Sequence, residues 1–205
     1  MESSAIKIAG IILAAGSSSR MGKPKQLLPF GKTTLLGQVI HNARQSILYE
    51  IIVVLGHGAD KIQQRLDLSG TRTILNPAYP TGQSASLKAG LEAVSDPCQG
   101  IIFLLGDQPL VRADIINHLV FRFADFPDKI IIPCFEGQRG NPVILPRSLF
   151  PHISSLSGDK GARALFDRFK HLILRVPVAD PAILMDVDTP ADYEGLISAE
   201  LDIDP

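Results

Sequence analysis

Residues 8–25, IAGIILAAGSSSRMGKPK, decide how the rest of the chain is interpreted. The first half is an apolar run interrupted only by Gly10, which is typical of a strand buried on both faces of a parallel sheet. The second half is rich in glycine and serine and contains three basic residues. Such a turn directly after a buried strand presents backbone N–H groups that suit phosphate oxygens. The stretch therefore predicts an α/β fold that binds an anion at the end of its first strand.

Two common phosphate-binding motifs are excluded by their spacing. The Walker A motif requires four residues between its glycines and a Lys followed by Ser or Thr, but five residues separate Gly16 from Gly22, and Lys23 precedes Pro24. The dinucleotide fingerprint G-x-G-x-x-G requires glycine at position 18, where the chain has Ser18.

Short apolar runs and stretches with helical spacing alternate along the rest of the chain. The runs predict strands at residues 8–13, 51–55, 73–75, 101–105, 130–132, 140–146 and 172–178. Helical spacing predicts helices at residues 34–48, 60–66, 84–94, 114–123, 160–169 and 189–200. In the first helix, one apolar stripe is formed by Leu35, Val39, Ala43 and Ile47. The alternation predicts a three-layer α/β fold, a mostly parallel sheet with helices on both faces, and the length suits a single domain over residues 1–205.

Charge is distributed unevenly, although the formal net charge is only -1. Residues 1–49 carry six basic residues and one acidic residue, whereas residues 180–205 carry eight acidic residues and no lysine or arginine. This pattern favours a cleft where an anionic substrate meets a divalent cation, with an ordinary solvated surface as the alternative. The near-neutral sum does not support nucleic-acid binding, and no apolar run approaches the roughly 20 residues of a membrane span. The two isolated cysteines favour the cytoplasm.

Residues 13–25, LAAGSSSRMGKPK, also fit the signature L-A-[AG]-G-x-S-x-R-M-G-x-x-K position by position. The chain thereby resembles the molybdenum cofactor nucleotidyltransferases of the MobA-like NTP transferase family, over residues 11–193. The resemblance implies a Rossmann-like sheet of the nucleotide-diphospho-sugar transferase type. Ala15 stands where the guanylyl-transferring relatives have glycine, so the chain is more similar to the cytidylyltransferase branch, which implies CTP as donor and GTP as the alternative.

The resemblance also implies residues for the nucleotide and the metal. The candidate nucleotide-binding residues are Leu13, Ala14, Ala15, Gly16, Ser17, Ser18, Arg20, Lys25, Gly82, Gln83, Ser86 and Gly106. Arg20, Lys25 and Asp107 are the candidate catalytic residues. Asp107 and Asp188 are the candidate ligands of Mg²⁺, a cation that needs only one or two protein carboxylates beside the substrate oxygens. Asp186 is the alternative to Asp188, because both side chains point the same way if the segment is extended.

Two further elements resemble the part of the family that binds the acceptor. Residues 140–143, GNPV, give Gly140, Asn141 and Pro142 as candidates, and residues 157–163, SGDKGAR, add Arg163 at a helix start. The implied acceptor is a molybdopterin-type compound. Sugar phosphates and other phosphorylated metabolites are the alternatives.

Purely structural roles are open for several of these residues. Asp107, Asp159 and Ser84 could each cap the helix that follows, since short polar side chains are favoured at helix N-termini. Thr189 and Pro190 form an ordinary helix start, so part of that motif is architectural.

The implied reaction is nucleotidyl transfer with release of pyrophosphate. A molybdoenzyme or a maturation protein is a possible partner for the product. An NAD(P)-dependent oxidoreductase is an alternative of another class, but it would call for an acidic residue after the second long strand, which ends in Leu55-Gly56-His57. A non-catalytic nucleotide sensor is disfavoured, since both metal carboxylates and both phosphate-neutralising cations are present.

Overall fold

One mixed sheet of eight strands and a small hairpin are present in the computed structural model, which describes residues 6–158 and 161–201. In chain order, the strands are β1 (Ile8–Ala14), β2 (Pro29–Phe30), β3 (Thr33–Thr34), β4 (Glu50–Leu55), β5 (Arg72–Leu75), β6 (Gly100–Leu105), β7 (Ile130–Phe135), β8 (Gln138–Arg139), β9 (Val143–Pro146) and β10 (Ile173–Pro177). The order across the large sheet is β10-β7-β9-β6-β1-β4-β5, and β8 pairs with β7. Strands β2 and β3 form the hairpin.

Helices cover both faces of the sheet. Those in the described residues are α1 (Leu35–Arg44), α2 (Ala59–Arg65), α3 (Gln83–Glu92), α4 (Ala113–Asp125), α5 (Phe150–Ser154), α6 (Arg163–Arg168) and α7 (Pro190–Leu201). Neighbouring strand residues point to opposite faces, so Ile12 and Val53 pack with α1 and α4, whereas Ile11 and Val54 pack with α3 and α6. The predicted three-layer α/β class with a mostly parallel sheet is confirmed. No helix of residues 6–158 and 161–201 is long and apolar enough to cross a membrane.

Two strands, β8 and β9, run opposite to the parallel core of the sheet. Of the predicted strand at residues 140–146, only β9 is extended, and it runs antiparallel to both β6 and β7. The chain turns back after β7 at Glu136 and Gly137, whose φ angles are 48° and 80°. Because β8 and β9 follow that turn, they run opposite to β7.

Some element boundaries differ from the sequence-based expectation. Helix α1 ends at Arg44, so Ile47 does not belong to the apolar stripe; it is 49% exposed, and its backbone N–H donates to Asn117 Oδ1. Helix α6 begins at Arg163, and the residues predicted before it include 160, which lies outside the described residues. Strands β2, β3 and β8 and helix α5 were not expected, because two to five residues are too few to show a period.

Candidate active site

A cleft of about 1370 Å³ opens beyond the carboxyl ends of β1 and β6. Ligands bind at this edge in open α/β sheets. Most of the predicted site residues line the cleft, namely Leu13, Ala14, Ala15, Gly16, Ser17, Lys25, Gly82, Gln83, Ser86, Gly106, Asp107, Gly140, Asn141, Arg163 and Asp188. The other three candidates are not among the lining residues but adjoin them: Ser18 is hydrogen-bonded to Lys25, Arg20 is paired with Asp188, and Pro142 follows Asn141 in the chain. The cleft also contains Gln26, Tyr79, Arg139 and Phe166, which the sequence did not single out.

The loop after β1 is held by a buried amide. Gln26 is 3% exposed, and its Nε2 donates to the carbonyl oxygens of Ala14 and Gly16 at 3.1 and 2.9 Å. Ser18 adopts the left-handed region with φ of 54°, and its Oγ accepts from the backbone N–H of Lys25 at 3.1 Å. The loop is therefore fixed from inside the protein. A Cβ on Gly16 would meet nothing within 4 Å, so the loop leaves open space at this point.

Lysine and carboxylate groups meet where this loop faces the end of β6. Lys25 Nζ lies 2.5 Å from Asp107 Oδ2 and 2.8 Å from Asp188 Oδ1. Arg20 reaches the other oxygen of Asp188 at 3.0 Å. The backbone N–H of Val187 donates to the carbonyl oxygen of Asp107, which places the two carboxylate-bearing segments side by side.

Burial is the largest single influence on the pKa values of this cluster; neighbouring charges reverse its effect at Lys25 and Asp188 but not at Asp107. Burial raises the pKa of Asp107; Lys25 opposes that shift without cancelling it, and Asp186 and Asp188 add to it. Burial lowers the pKa of Lys25, but Asp107 and Asp188 outweigh it, so the pKa lies above its usual value. Burial raises the pKa of Asp188, but Lys25 and Arg20 outweigh it, so the pKa lies below its usual value. Repulsion among the carboxylates would be relieved by a further cation.

The carboxylates fit a hard divalent cation. Asp107 and Asp188 converge on the same ammonium group, and Asp186, which is exposed, lines the same cleft. No group of three or more Asp, Glu, His or Cys side chains in the described part of the chain could hold a metal by itself. The two converging carboxylates suit a divalent cation that takes its remaining ligands from water and substrate oxygens.

Residues at the start of α3 form a second wall of the cleft. Gly82 has φ of 113° and precedes the helix, and the Gln83 side chain lies against Gly161. Ser86 is buried, and its Oγ accepts from Asn76 Nδ2. Ser84 lies inside the helix, so its capping role is wrong.

The capping alternative for Asp107 is also wrong. Helix α4 begins at Ala113, and Asp107 is six positions earlier in the chain. The architectural role of Thr189 is confirmed, because Thr189 Oγ1 accepts from the N–H of Asp192, whose carboxylate accepts from the N–H of Thr189. The capping alternative for Asp159 lies outside the described residues.

The acceptor candidates lie at the β8–β9 connection and at α6. A Cβ on Gly140 would collide with the carbonyl oxygen of Ile183, so only glycine lets the two segments approach this closely. Asn141 N–H donates to the same carbonyl at 2.9 Å. Arg163 opens α6 and is exposed in the cleft.

Residues 10–173 match the model of a protein family described as the MobA-like NTP transferase domain. The match puts the chain in the nucleotidyltransferase class of enzymes. The site agrees with this class, because a glycine- and serine-rich loop that suits phosphate oxygens faces carboxylates and a lysine. The chain belongs to the MobA-like NTP transferase family. The predicted resemblance is thereby confirmed.

Relatives with different names are similar over nearly their whole length. A molybdenum cofactor cytidylyltransferase of Escherichia coli is 30% identical over 190 residues, which cover 89% of this chain and 92% of the relative. A nicotine blue oxidoreductase of Paenarthrobacter nicotinovorans is 28% identical over 191 residues, with the same two coverages of 89% and 92%.

Solved structures share the fold. The Rv0371c homolog of Mycobacterium sp. strain JC1 has a TM-score of 0.88 and 35% identity, covering 96% of this chain and 98% of that one. Rv0371c of Mycobacterium tuberculosis, in complex with manganese, has a TM-score of 0.79 and 32% identity over 95% of this chain and 100% of that one. A Methanothermobacter nucleotidyl transferase has a TM-score of 0.79 at 23% identity, covering 97% of this chain and 99% of that one, and shows the fold alone.

Proposed function

We propose that the chain transfers the cytidylyl group of CTP to the phosphate of a molybdopterin-type acceptor, with release of pyrophosphate. The observation that carries the proposal is the position of Lys25 between Asp107 and Asp188, directly beside the glycine- and serine-rich loop. In nucleotidyl transfer, negative charge develops on the leaving pyrophosphate. A lysine beside the glycine- and serine-rich loop can stabilise that charge, and the aspartates hold the lysine in place.

Each group has a role in this proposal. The backbone N–H groups of residues 15–18 bind the triphosphate, and Arg20 and Lys25 offset charge on the transferred and leaving phosphates. Asp107 and Asp188 hold Mg²⁺, which supplies further charge neutralisation to phosphate oxygens when it is bound. The acceptor phosphate is already ionised near neutral pH, so the site requires no general base. The rate enhancement then comes from positioning and electrostatics.

The preference for CTP over GTP is supported by Ala15. This residue is 4% exposed and lines the cleft, so its methyl group narrows the space beside the loop. One methyl group changes binding by about 1 to 3 kcal/mol, which favours the smaller base without forbidding the larger one. GTP is therefore the alternative donor.

The choice of acceptor is supported by the Escherichia coli relative, which is named a molybdenum cofactor cytidylyltransferase. Gly140, Asn141, Pro142 and Arg163 are the residues proposed to contact the acceptor. Another phosphorylated metabolite is the alternative. We further propose that the product passes to a molybdoenzyme or maturation protein in the cytoplasm, a compartment that suits the free thiols of Cys98 and Cys134.

The oxidoreductase alternative has the support of one relative's name. An acidic residue that would bind a nicotinamide ribose is not found after β4, where Leu55 is followed by Gly56 and His57. The transferase is therefore the better supported function.

Pyrophosphate release from each of the four nucleoside triphosphates with Mg²⁺, with and without molybdopterin, tests the proposal. The expected result is release with CTP that depends on molybdopterin. If pyrophosphate is released in the presence of molybdopterin with GTP but not with CTP, the donor is GTP. If release requires another phosphorylated compound instead of molybdopterin, that compound is the acceptor. Reduction of nicotine blue by NAD(P)H, without nucleotidyl transfer, would favour the oxidoreductase.

A further inference from the structure

Arg139 is a positively charged residue of the cleft that has no role in the reaction proposed above. It is exposed, lies on β8 and lines the cleft together with Gly140 and Asn141. No carboxylate of the described residues lies within ion-pair distance of Arg139, although Asp167 lines the same cleft. By contrast, Arg20 and Lys25 are both paired with aspartates.

The fold holds the Arg139 backbone in a fixed place. Arg139 pairs with Cys134 of β7 across a tight hairpin. The next residue, Gly140, is packed so closely against Ile183 that a Cβ would not fit, which prevents the hairpin from shifting toward that segment. Backbone restraint on both sides reduces the entropy that the arginine loses when it binds a ligand.

An aromatic ring supports the guanidinium group. The Cζ atom of Arg139 lies 4.9 Å from the centre of the Phe166 ring, and Phe166 is 6% exposed. Stacking on an aromatic face orients the planar guanidinium while its N–H groups keep their hydrogen-bonding capacity. An oriented arginine without a carboxylate partner suits a planar or tetrahedral anion, which it binds through two N–H groups.

We propose that Arg139 binds an anionic group, phosphate by preference, of the acceptor, and thereby selects acceptors that carry that charge. This inference rests on the proposed function and adds a specificity-determining residue to it. Arg163 and Phe166 both belong to α6 and both line the cleft, so Arg163 is a second cation on the side of the cleft where Phe166 supports Arg139.

Arg168 provides a matched control for Arg139. It is also exposed, and its guanidinium lies 5.2 Å from the ring centre of Phe169, but it does not line the cleft. The variants are Arg139→Gln, Arg139→Lys and Arg168→Gln. Circular dichroism and thermal unfolding verify that each variant is folded.

The first measurement is calorimetric titration of inorganic phosphate into each protein, with CTP present to occupy the donor side. We expect Arg139→Gln to bind phosphate about tenfold or more weakly than wild type, Arg139→Lys to recover part of the loss, and Arg168→Gln to match wild type. Equal binding by wild type and Arg139→Gln, or no binding by wild type, would overturn the inference.

The second measurement separates this inference from the proposed function. In steady-state turnover with molybdopterin, Arg139→Gln should raise KM for molybdopterin about tenfold or more and leave KM for CTP near wild type. Turnover with an unchanged KM for molybdopterin would overturn the role of Arg139 and keep the transferase. Phosphate binding that depends on Arg139, in a protein that releases no pyrophosphate, would keep the anion subsite and overturn the transferase.

Discussion

Lys25 Nζ lies 2.8 Å from Asp188 Oδ1, although 163 positions separate the two residues in the chain. The contact joins the basic N-terminal segment to the acidic C-terminal segment, so the two oppositely charged parts of the chain meet in the cleft. It forms because β1 and β6 are neighbours and because Val187 is hydrogen-bonded to Asp107. The loop, the lysine and the carboxylates are thus parts of one cluster.

Replacement of Lys25 tests this cluster. Lys25→Met should lower kcat about a hundredfold or more, since it removes a positive charge that faces the reacting phosphates. Lys23→Met is the matched control, because Lys23 is exposed and lies in the same loop, and it should retain near wild-type kcat. Pyrophosphate release measures both. Equal activity in the two variants would contradict the role of Lys25.

Gly16→Ala tests whether the phosphates of the nucleotide bind in the open space beside Gly16. The new Cβ meets no protein atom within 4 Å, so the free energy of unfolding should stay near wild type. If phosphate oxygens bind there, KM for CTP should rise about tenfold or more, because the methyl group obstructs their approach. Gly195→Ala in α7 also meets no atom within 4 Å and should leave KM unchanged. An unchanged KM in Gly16→Ala would place the phosphates elsewhere.

Gln26→Leu tests the internal support of the loop. The substitution leaves the carbonyl oxygens of Ala14 and Gly16 without their donor, which should reduce the free energy of unfolding by about 1 to 3 kcal/mol. KM for CTP should rise as well, because the loop loses its fixed shape. Gln64→Leu, at an exposed position of α2, should change neither quantity. Urea unfolding and steady-state kinetics decide; a stable variant with normal KM would show that the loop holds its shape without this amide.

The raised pKa of the buried Cys98 thiol predicts that the free energy of unfolding depends on pH in the alkaline range. Burial, with Glu50 as hydrogen-bond partner, raises the pKa of the Cys98 thiol from 9.0 to about 12. Because the unfolded chain loses this proton at lower pH than the folded protein, the stabilisation is full below pH 9 and is lost as pH rises toward 12. The difference in free energy of unfolding between wild type and Cys98→Ala should fall by about 1.4 kcal/mol per pH unit in that window. A difference that does not vary with pH would contradict the raised pKa.

The parallel core could be predicted from sequence because strands buried on both faces appear as apolar runs, as in β1, β4 and β6. The direction of β9 could not, since an apolar run carries no sign of its orientation. The hairpin of Pro29–Phe30 and Thr33–Thr34 is too short to show alternation.

The candidate active site, like the fold, could be predicted from the sequence only in part. The loop was predicted to bind an anion because glycine, serine and basic residues follow a buried strand, and the resemblance to the family supplied the roles of Arg20, Lys25 and Asp107. Gln26 was missed because a buried glutamine cannot be told from a solvated one without its partners. The pairing of Lys25 with Asp107 and Asp188 was not predicted either, because it depends on contacts across 82 and 163 positions. Arg139 had one signal, its place directly before the Gly140-Asn141-Pro142-Val143 element.

The most direct test of nucleotidyl transfer is to follow α-labelled CTP in the presence of Mg²⁺ and molybdopterin, in wild type and in Asp107→Asn. The account predicts that wild type moves the label to the acceptor and releases one pyrophosphate for each label moved. Asp107→Asn should do neither at a measurable rate while it keeps the wild-type circular dichroism spectrum, because the site loses a carboxylate that would hold the cation. Label transfer by Asp107→Asn at the wild-type rate would contradict this account of the site.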